Sequence, residues 1–97
     1  MKVSFSRSAL KDLQDIKTHY SELGVPEIGI RFVGDILRLI EQLQSHPESG
    51  RKVPEFNQEH IRELIHPPFR MVYLRVADSI NVVRVWRSER LLVLQND

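Results

Sequence analysis

Hydrophobic residues recur every three or four positions in two long stretches of the chain, a spacing that places them on one side of a helix. The first stretch follows Ser6, which can cap a helix by accepting a hydrogen bond from a free backbone N–H, and it should end at Gly24. The second stretch starts at Pro26, which suits a first helical turn, and stops at the sequence SHPESG. Because only a few residues join the two helices, we expect a long antiparallel hairpin.

Polar and small residues within these helices give two further expectations. On the first helix, the side opposite the apolar stripe holds charged residues that should face water: Lys11, Asp12, Asp15 and Glu22. In the second helix, Gly29 and Gly34 each weaken helix formation by about 0.5 to 1 kcal/mol relative to alanine. We expect both glycines to be tolerated, rather than to let another backbone approach closely.

Residues outside the helices alternate in the way that is typical of β-strands. Val3 and Phe5 predict a short first strand, and three more strands are predicted within HIRELI, FRMVYLRV and INVVRVWR. The stretch RKVPEFNQE has no period and is predicted to be a loop. This order predicts an α+β fold with an N-terminal strand, a long helical hairpin and a three-stranded antiparallel sheet, the hairpin packing on one face of the curved sheet.

The last predicted strand carries apolar residues on both of its sides. By strict alternation Ile80, Val82, Arg84 and Trp86 would point one way, and Asn81, Val83, Val85 and Arg87 the other. A sheet that is covered by helices on one face only normally alternates apolar with polar residues more cleanly. The excess of apolar surface therefore predicts a strongly curved sheet, a partner on the second face, or both.

Composition and charge exclude several classes of protein. The chain has 97 residues, which suits a single domain over residues 1–97, and its net charge of +1 creates no strong field toward nucleic acid or an anionic membrane. The absence of cysteine excludes a disulfide framework and a thiolate metal site. The sequence shows no membrane-spanning apolar run and no signal-peptide pattern, so we expect a cytoplasmic protein.

Four segments, in this order and at these spacings, resemble the RelE/ParE superfamily, the small toxins of bacterial type II toxin–antitoxin systems. The segments are SRSALKDLQDI, LQSHPESGR, FRMVYLRV and INVVRVWRSER, and the resemblance covers nearly the whole chain. It implies the same fold of a helical hairpin against a curved sheet. It also implies a growth-inhibiting toxin, of a kind linked to plasmid stabilisation, with a cognate antitoxin that is a ParD-like ribbon-helix-helix protein.

The superfamily has two functional branches, and the resemblance favours the ParE-like branch, whose members inhibit DNA gyrase by protein contact. The stretch HPESGRKVPEF places Pro and Gly as ParE-like chains do after the hairpin. In contrast, Ile65, Ser88 and Leu94 stand where the RelE-like nuclease pattern has two catalytic arginines and a tyrosine. One feature departs from many ParE-like chains, because Trp86, Arg87 and Ser88 replace a common His-Gly-Arg ending. We therefore expect no catalytic residues and no cofactor.

The alternative is a RelE-like, ribosome-dependent mRNA endoribonuclease. Cleavage of RNA without a metal needs cations around the phosphate and groups that transfer protons. This chain would have to supply them from Arg62, Arg70 and Arg87 with a histidine, either His60 or His66. The two histidines lack the further ligands that a metal site requires, so no metal is expected.

The resemblance and the residue types together give two sets of candidate contacts. The candidates for contact with the target are Arg51, Lys52, Trp86, Arg87 and Arg90. The candidates for contact with the antitoxin are Leu13, Ile16, Tyr20, Trp86, Leu91, Leu92 and Leu94. The antitoxin should bind as an extended segment plus an amphipathic helix, in a homodimer or a heterotetramer of toxin and antitoxin. Direct contact with nucleic acid is expected only on the ribosome or through the antitoxin.

Several of these side chains also have a purely structural interpretation. Arg70 and Arg84 lie within strands, where pairing with a carboxylate is favoured, and Tyr73 is expected in the core with a hydrogen-bonded hydroxyl. Trp86 is equally suited to core packing and to a partner contact. The apolar run from Leu91 to Leu94 must be covered, either by the sheet of its own domain or by an antitoxin or a second copy.

Overall fold

A computed structural model describes residues 1–87, which form two helices and a five-stranded mixed sheet. In chain order the elements are β1 (Lys2–Phe5), α1 (Arg7–Glu22), α2 (Pro26–Glu41), a 3-10 turn (Gln42–Gln44), β2 (Arg51–Lys52), β3 (Ile61–His66), β4 (Phe69–Val76) and β5 (Ser79–Arg87). The strands lie side by side in the order β1-β5-β4-β3-β2. This arrangement confirms the predicted α+β class. Neither helix in residues 1–87 is long and apolar enough to cross a membrane.

The predicted signals at the ends of the helices are confirmed. The Ser6 hydroxyl accepts a hydrogen bond from the Ala9 N–H at 3.0 Å, and it also donates to the Val83 carbonyl at 2.9 Å. The same side chain therefore starts α1 and ties that start to β5. Gly24 follows α1 with φ +83°, a left-handed conformation that glycine adopts without steric cost, and Pro26 occupies the first turn of α2.

The expectation that both helical glycines are merely tolerated is wrong for Gly29. A Cβ at this position would lie 3.1 Å from the Lys17 Cα and 3.2 Å from the Ile16 carbonyl oxygen, so the missing side chain lets α2 pack closely on α1. At Gly34 the nearest such atom is the end of the Arg38 side chain, 3.6 Å away, which leaves room for a methyl group. Close helix packing therefore depends on Gly29 alone of the two.

The sheet has more strands than predicted and is not purely antiparallel. β1 pairs in parallel with β5, with Val3 opposite Ile80 and Phe5 opposite Val82. Arg51 and Lys52, predicted to lie in a loop, form the edge strand β2 against β3. A pairing between residues about 77 positions apart leaves no trace in local alternation, and a two-residue strand is too short to show a period.

An irregularity in β5 corrects the predicted division of its side chains between the two faces. Tyr73 pairs with Val82 while Val72 pairs with Arg84, so Val83 is an extra residue in β5. Such a bulge shifts the alternation by one position. As a result Val85 joins Ile80 and Val82 on the helix-facing side, instead of pointing away from them.

Two apolar clusters lie on opposite faces of the sheet. The main core is formed between the helices and the sheet by buried side chains that include Ile36, Ile40, Phe69, Met71 and Tyr73. On the other face, which we call the second face, Val53 and Val72 are buried, and four partly buried residues pack on them: Phe56, Ile61, Val83 and Trp86. The segment between β2 and β3 thus covers part of the face that the sequence left without a cover.

Candidate protein-contact site

A groove of about 690 Å³ runs between α1 and the C-terminal end of β5. We call it the α1–β5 groove, and its side chains are both aromatic and charged, among them Asp12, Tyr20, Leu23, Arg84, Trp86 and Arg87. Leu23 is 61% exposed at one end of this surface. The groove therefore offers an apolar floor with charges of both signs, which suits contact with another protein.

Asp12 holds the two sides of this groove together, although the sequence placed it on the water-facing side of α1. Its carboxylate accepts hydrogen bonds from Arg84 Nε at 2.8 Å, Arg84 Nη2 at 3.0 Å and the Val85 backbone N–H at 2.8 Å. Only 11% of the Asp12 side chain is exposed. Its position three residues after the buried Ala9 is a signal that it lies at the edge of the apolar stripe. The expected pairing of Arg84 with a carboxylate is confirmed.

Two arginines of β5 lie against aromatic rings at this end of the sheet. The Arg84 guanidinium lies 4.4 Å from the centre of the Trp86 ring, and the Arg87 guanidinium lies 5.8 Å from that of Phe69. Both distances are within the range of cation–π attraction. The planar groups of the groove are therefore held in place before any partner arrives.

The residues predicted to contact an antitoxin are only partly brought together. Leu13 and Ile16 are each 7% exposed and belong to the main core, so the chain's own sheet already covers them. Tyr20 is half-buried on the groove, where its ring lies 5.4 Å from that of Phe32, and Trp86 lies across the groove from it. Leu91, Leu92 and Leu94 lie outside the described residues, and their contact with an antitoxin stays a prediction.

The residues predicted to contact the target are divided between two ends of the sheet. Trp86 and Arg87 line the α1–β5 groove, whereas Arg51 and Lys52 lie on β2, with β4 and β3 in between. At about 4.8 Å per strand, this is a separation of roughly 14 Å. Arg90 lies outside the described residues. Within residues 1–87 these candidates therefore lie in two separate places, and their contact with the target stays a prediction.

The charges on β2 are paired within the chain. Arg51 Nε donates to Glu63 at 2.8 Å, and Lys52 Nζ lies 3.0 Å from a Glu59 carboxylate oxygen. The hydrogen bond from Lys52, together with its positive charge and that of Arg62, lowers the pKa of Glu59. These contacts fit a structural role for β2 at the sheet edge.

Arg70 lies on the opposite face of the sheet from Arg62, His66 and Arg87, the other residues that the nuclease alternative needs. Arg70 alternates along β4 with Phe69 and Met71 of the main core, so it lies on the second face. His66 lies on the helix-facing side, near Phe32, with its Nε2 3.4 Å from an Asp35 carboxylate oxygen.

Arg62 also lies apart from Arg70. It pairs across β3 and β4 with Tyr73, and its guanidinium donates to the Gly50 carbonyl at 3.3 Å and to a Glu59 carboxylate oxygen at 2.6 Å. Arg62 thus lies on the helix-facing side of the sheet, where its hydrogen bonds join β3 to Gly50, just before β2, and to Glu59, just before β3.

Arg70 is the centre of a buried ionic network on the second face. Its guanidinium donates to Glu63 at 2.8 and 2.6 Å and to Glu55 at 3.0 and 3.1 Å, and Glu63 is 1% exposed. The hydrogen bond to Glu55, with further contributions from Glu63, raises the pKa of Arg70 against the opposing effect of burial. The predicted carboxylate pairing of Arg70 is confirmed, and this pairing leaves Arg70 only 7% exposed.

Tyr73 is fully buried in the main core, as predicted, but its hydroxyl has no well-formed hydrogen bond within residues 1–87. The backbone of Gly50 lies beside it, and a Cβ at that glycine would come 2.1 Å from the hydroxyl oxygen. Burial raises the pKa of Tyr73, and the nearby Gly50 N–H acts in the opposite direction. Gly50 is therefore required by this close approach. The part of the chain that the structure describes contains no cluster of side chains suited to a metal ion.

Solved structures with the same fold identify the class of protein. A toxin–antitoxin structure described as the chromosomal ParDE system of P. aeruginosa aligns with 90% of this chain and 95% of its own, at 28% identity and a TM-score of 0.75. The RelBE2 toxin–antitoxin complex of Mycobacterium tuberculosis aligns with 89% and 95%, at 17% identity and a TM-score of 0.62. The chain thus has the RelE/ParE fold.

Comparison of the sequence with known protein families shows the family to which the chain belongs. The pattern described as the ParE toxin of the type II toxin–antitoxin system parDE matches residues 3–92. The chain therefore belongs to the ParE toxin family. No curated protein sequence is similar enough to this chain to count as a match.

Proposed function

We propose that this ParE-type toxin inhibits DNA gyrase by protein contact and that a cognate antitoxin neutralises it. The observation that carries the proposal is the α1–β5 groove, where the Arg84 guanidinium lies over the Trp86 ring and the Arg87 guanidinium lies over the Phe69 ring. Trp and Arg are the residue types that most often dominate the binding energy of protein interfaces. Because Asp12 and the rings hold these groups in place, binding loses little side-chain entropy.

The arrangement of the basic residues supports contact over RNA cleavage. A metal-free nuclease needs its cations and its proton-transfer groups around one phosphate. Here Arg70 is occupied by two carboxylates on the second face, and His66 lies on the helix-facing side. The RelE-like endoribonuclease is therefore the weaker alternative.

The groove also suits the antitoxin. A ParD-like ribbon-helix-helix protein would place an amphipathic helix along α1, with apolar residues on Tyr20 and Leu23 and charged residues toward Asp15 and Arg87. The partners would meet in the cytoplasm, in an assembly built from a toxin dimer or a heterotetramer. An antitoxin on this surface would block the target by covering the same residues.

A supercoiling assay with purified gyrase tests the proposal. The wild-type chain should inhibit supercoiling, and Trp86→Ala should weaken inhibition about 30-fold, which corresponds to about 2 kcal/mol for a central interface residue. Arg87→Glu tests the same surface without removing a packed ring. Thr18→Ala, on the outer side of α1, is the matched control and should inhibit as the wild type does. Unchanged supercoiling with the folded wild-type chain, and no trapped cleaved DNA, would contradict the proposal.

The nuclease alternative has its own readout. Primer extension on mRNA after toxin induction should show an intact message, whereas discrete codon-aligned cuts would support RelE-like cleavage. Calorimetric titration of the Trp86→Ala and Thr18→Ala variants with the antitoxin shows whether the antitoxin uses the same α1–β5 groove as gyrase. Equal antitoxin affinity for the two variants would place the antitoxin elsewhere.

A further inference from the structure

Arg70 and Arg84 are strand arginines whose guanidinium groups bind carboxylates to different extents. A guanidinium has five N–H donors in a fixed plane, so it can bind one carboxylate along its Nε–Nη2 edge and another along its Nη1–Nη2 edge. In Arg70 both edges are filled. Its Nε and Nη2 donate to Glu63 at 2.8 and 2.6 Å, and its Nη1 and Nη2 donate to Glu55 at 3.0 and 3.1 Å. One guanidinium of this chain thus holds two carboxylates.

In Arg84 only the first of these edges is filled. Its Nε and Nη2 donate to Asp12 at 2.8 and 3.0 Å. Within residues 1–87 the Nη1 of Arg84 forms no hydrogen bond, and 39% of the side chain is exposed. The Nη1–Nη2 edge of Arg84, which we call the open edge, is therefore accessible to a partner.

The open edge belongs to the α1–β5 groove, whose lining includes Arg84. Two carboxylates also line this groove. Asp12 already occupies the other edge of Arg84, and Asp15 pairs with Lys11 at 3.0 Å. Neither carboxylate of the groove fills the open edge, so a carboxylate at this position has to come from another molecule.

The guanidinium of Arg84 is held in place on two sides. Asp12 binds one edge, and the Trp86 ring covers one face, with its centre 4.4 Å from the guanidinium carbon. Asp12 in turn accepts a hydrogen bond from the Val85 N–H at 2.8 Å. This N–H stabilises the negative charge of Asp12, which reduces the repulsion that a second carboxylate at Arg84 meets. Because the plane of the guanidinium is fixed in advance, binding at the open edge loses little side-chain entropy.

We propose that the open edge of Arg84 binds an Asp or Glu side chain of the cognate antitoxin. The inference rests on the proposed function in one respect, that the antitoxin occupies the α1–β5 groove. A carboxylate fits the open edge because two parallel, charge-assisted hydrogen bonds to a guanidinium are stronger and more directional than bonds to a neutral acceptor. In the complex Arg84 holds two carboxylates as Arg70 does, and the antitoxin carboxylate takes the position that Glu55 has at Arg70.

Double-mutant cycles between the toxin and the antitoxin test the proposal. Each Asp and Glu of the antitoxin is replaced in turn by Asn or Gln, and its affinity for the wild-type chain and for Arg84→Gln is measured by calorimetric titration. One replacement should weaken binding to the wild-type chain about tenfold and binding to Arg84→Gln by less than about threefold, because its partner is then already missing. The comparison is made on one toxin variant at a time, so a local change in the groove of Arg84→Gln cancels.

Two further toxin variants sharpen this cycle. Arg84→Lys keeps the charge but cannot form two parallel hydrogen bonds, so it should restore the effect of the antitoxin replacement only in part. Arg31→Gln removes the same charge from an exposed position on α2 outside the groove, and the antitoxin replacement should keep its full effect there. Equal effects of every antitoxin replacement on the wild-type chain and on Arg84→Gln would overturn the inference alone. An antitoxin that did not bind the wild-type chain would contradict the proposed neutralisation as well.

NMR of isotopically labelled arginine side chains gives a second test. In the free toxin the Nη1 protons of Arg84 should exchange rapidly with water, and they should lose this rapid exchange in the antitoxin complex. Arg70, whose two edges are both filled, should be protected in the free toxin and in the complex. The signal of Arg84 is assigned by its absence in Arg84→Lys. Unchanged exchange at Arg84 in the complex would contradict the proposal.

Discussion

Removing the guanidinium of Arg70 should destabilise the protein strongly, although its carboxylate partners remain. In Arg70→Met the carboxylate of Glu63, whose side chain is fully buried, loses two hydrogen bonds and keeps only the one from Arg51. Breaking a buried ion pair from one side costs roughly 3 to 5 kcal/mol. Arg51 is 62% exposed, but it still pairs with Glu63 in the variant and compensates part of the buried charge. We therefore expect a loss at the lower end of this range, about 3 kcal/mol.

Replacing both charges should recover most of this loss. In Glu63→Leu/Arg70→Met no buried charge is left unpaired, and the remaining partners can be hydrated, since Glu55 is 29% exposed and Arg51 62%. Apolar residues of similar volume are tolerated at such positions within about 1.5 kcal/mol. The double variant should therefore be more stable than Arg70→Met alone.

Urea unfolding followed by circular dichroism measures both effects. With a slope of about 1.5 kcal/mol per molar urea, a loss of 3 kcal/mol moves the midpoint down by about 2 M. The total free energy of unfolding of a small domain is roughly 5 to 15 kcal/mol, so Arg70→Met should still fold at low temperature. A loss below about 1 kcal/mol for the single variant, or a double variant no more stable than the single, would refute the role given to the network.

Two further predictions concern Tyr73 and the glycine beside it. Since burial raises the pKa of Tyr73, its contribution to the free energy of unfolding should be complete below about pH 10, the value in an unfolded chain, and should fall as the pH rises beyond it. Tyr73→Phe should remove this fall and Tyr20→Phe should keep it, in urea unfolding between about pH 8 and 11; identical profiles would argue against burial as the cause. Gly50→Ala should cost about 1 to 3 kcal/mol, because its Cβ would meet the Tyr73 ring, whereas Gly34→Ala should gain about 0.5 to 1 kcal/mol in thermal unfolding. A neutral Gly50→Ala would show that the close approach is not required.

Local signals in the sequence were sufficient to predict the helices and most of the strands. Ser6, Gly24 and Pro26 act on their own neighbours along the chain, and the structure gives each of them the role that its chemistry predicts. The alternation in FRMVYLRV and INVVRVWR likewise extends over enough residues to indicate strands. These features depend on contacts within one element.

Features that depend on contacts between distant elements could not be predicted in this way. The parallel pairing of β1 with β5, the extra residue Val83 and the close approach at Gly29 each depend on a surface that is remote in sequence. For the same reason the sequence predicts that Asp12 faces water, because its hydrogen-bond partners lie more than 70 positions further along the chain. The sequence therefore predicts which types of residue form the candidate contact site, but it does not predict which of them lie together in the fold.

The central claim is that this toxin acts by protein contact and not by RNA cleavage. The folded Glu63→Leu/Arg70→Met variant tests this claim most directly. This variant lacks Arg70, which the nuclease alternative requires, but it retains the α1–β5 groove with Trp86 and Arg87. In a supercoiling assay with purified gyrase, we predict that the double variant and the wild-type chain inhibit equally. The account would be contradicted if the wild-type chain left supercoiling intact and cleaved ribosome-bound mRNA, with the cleavage lost in the double variant.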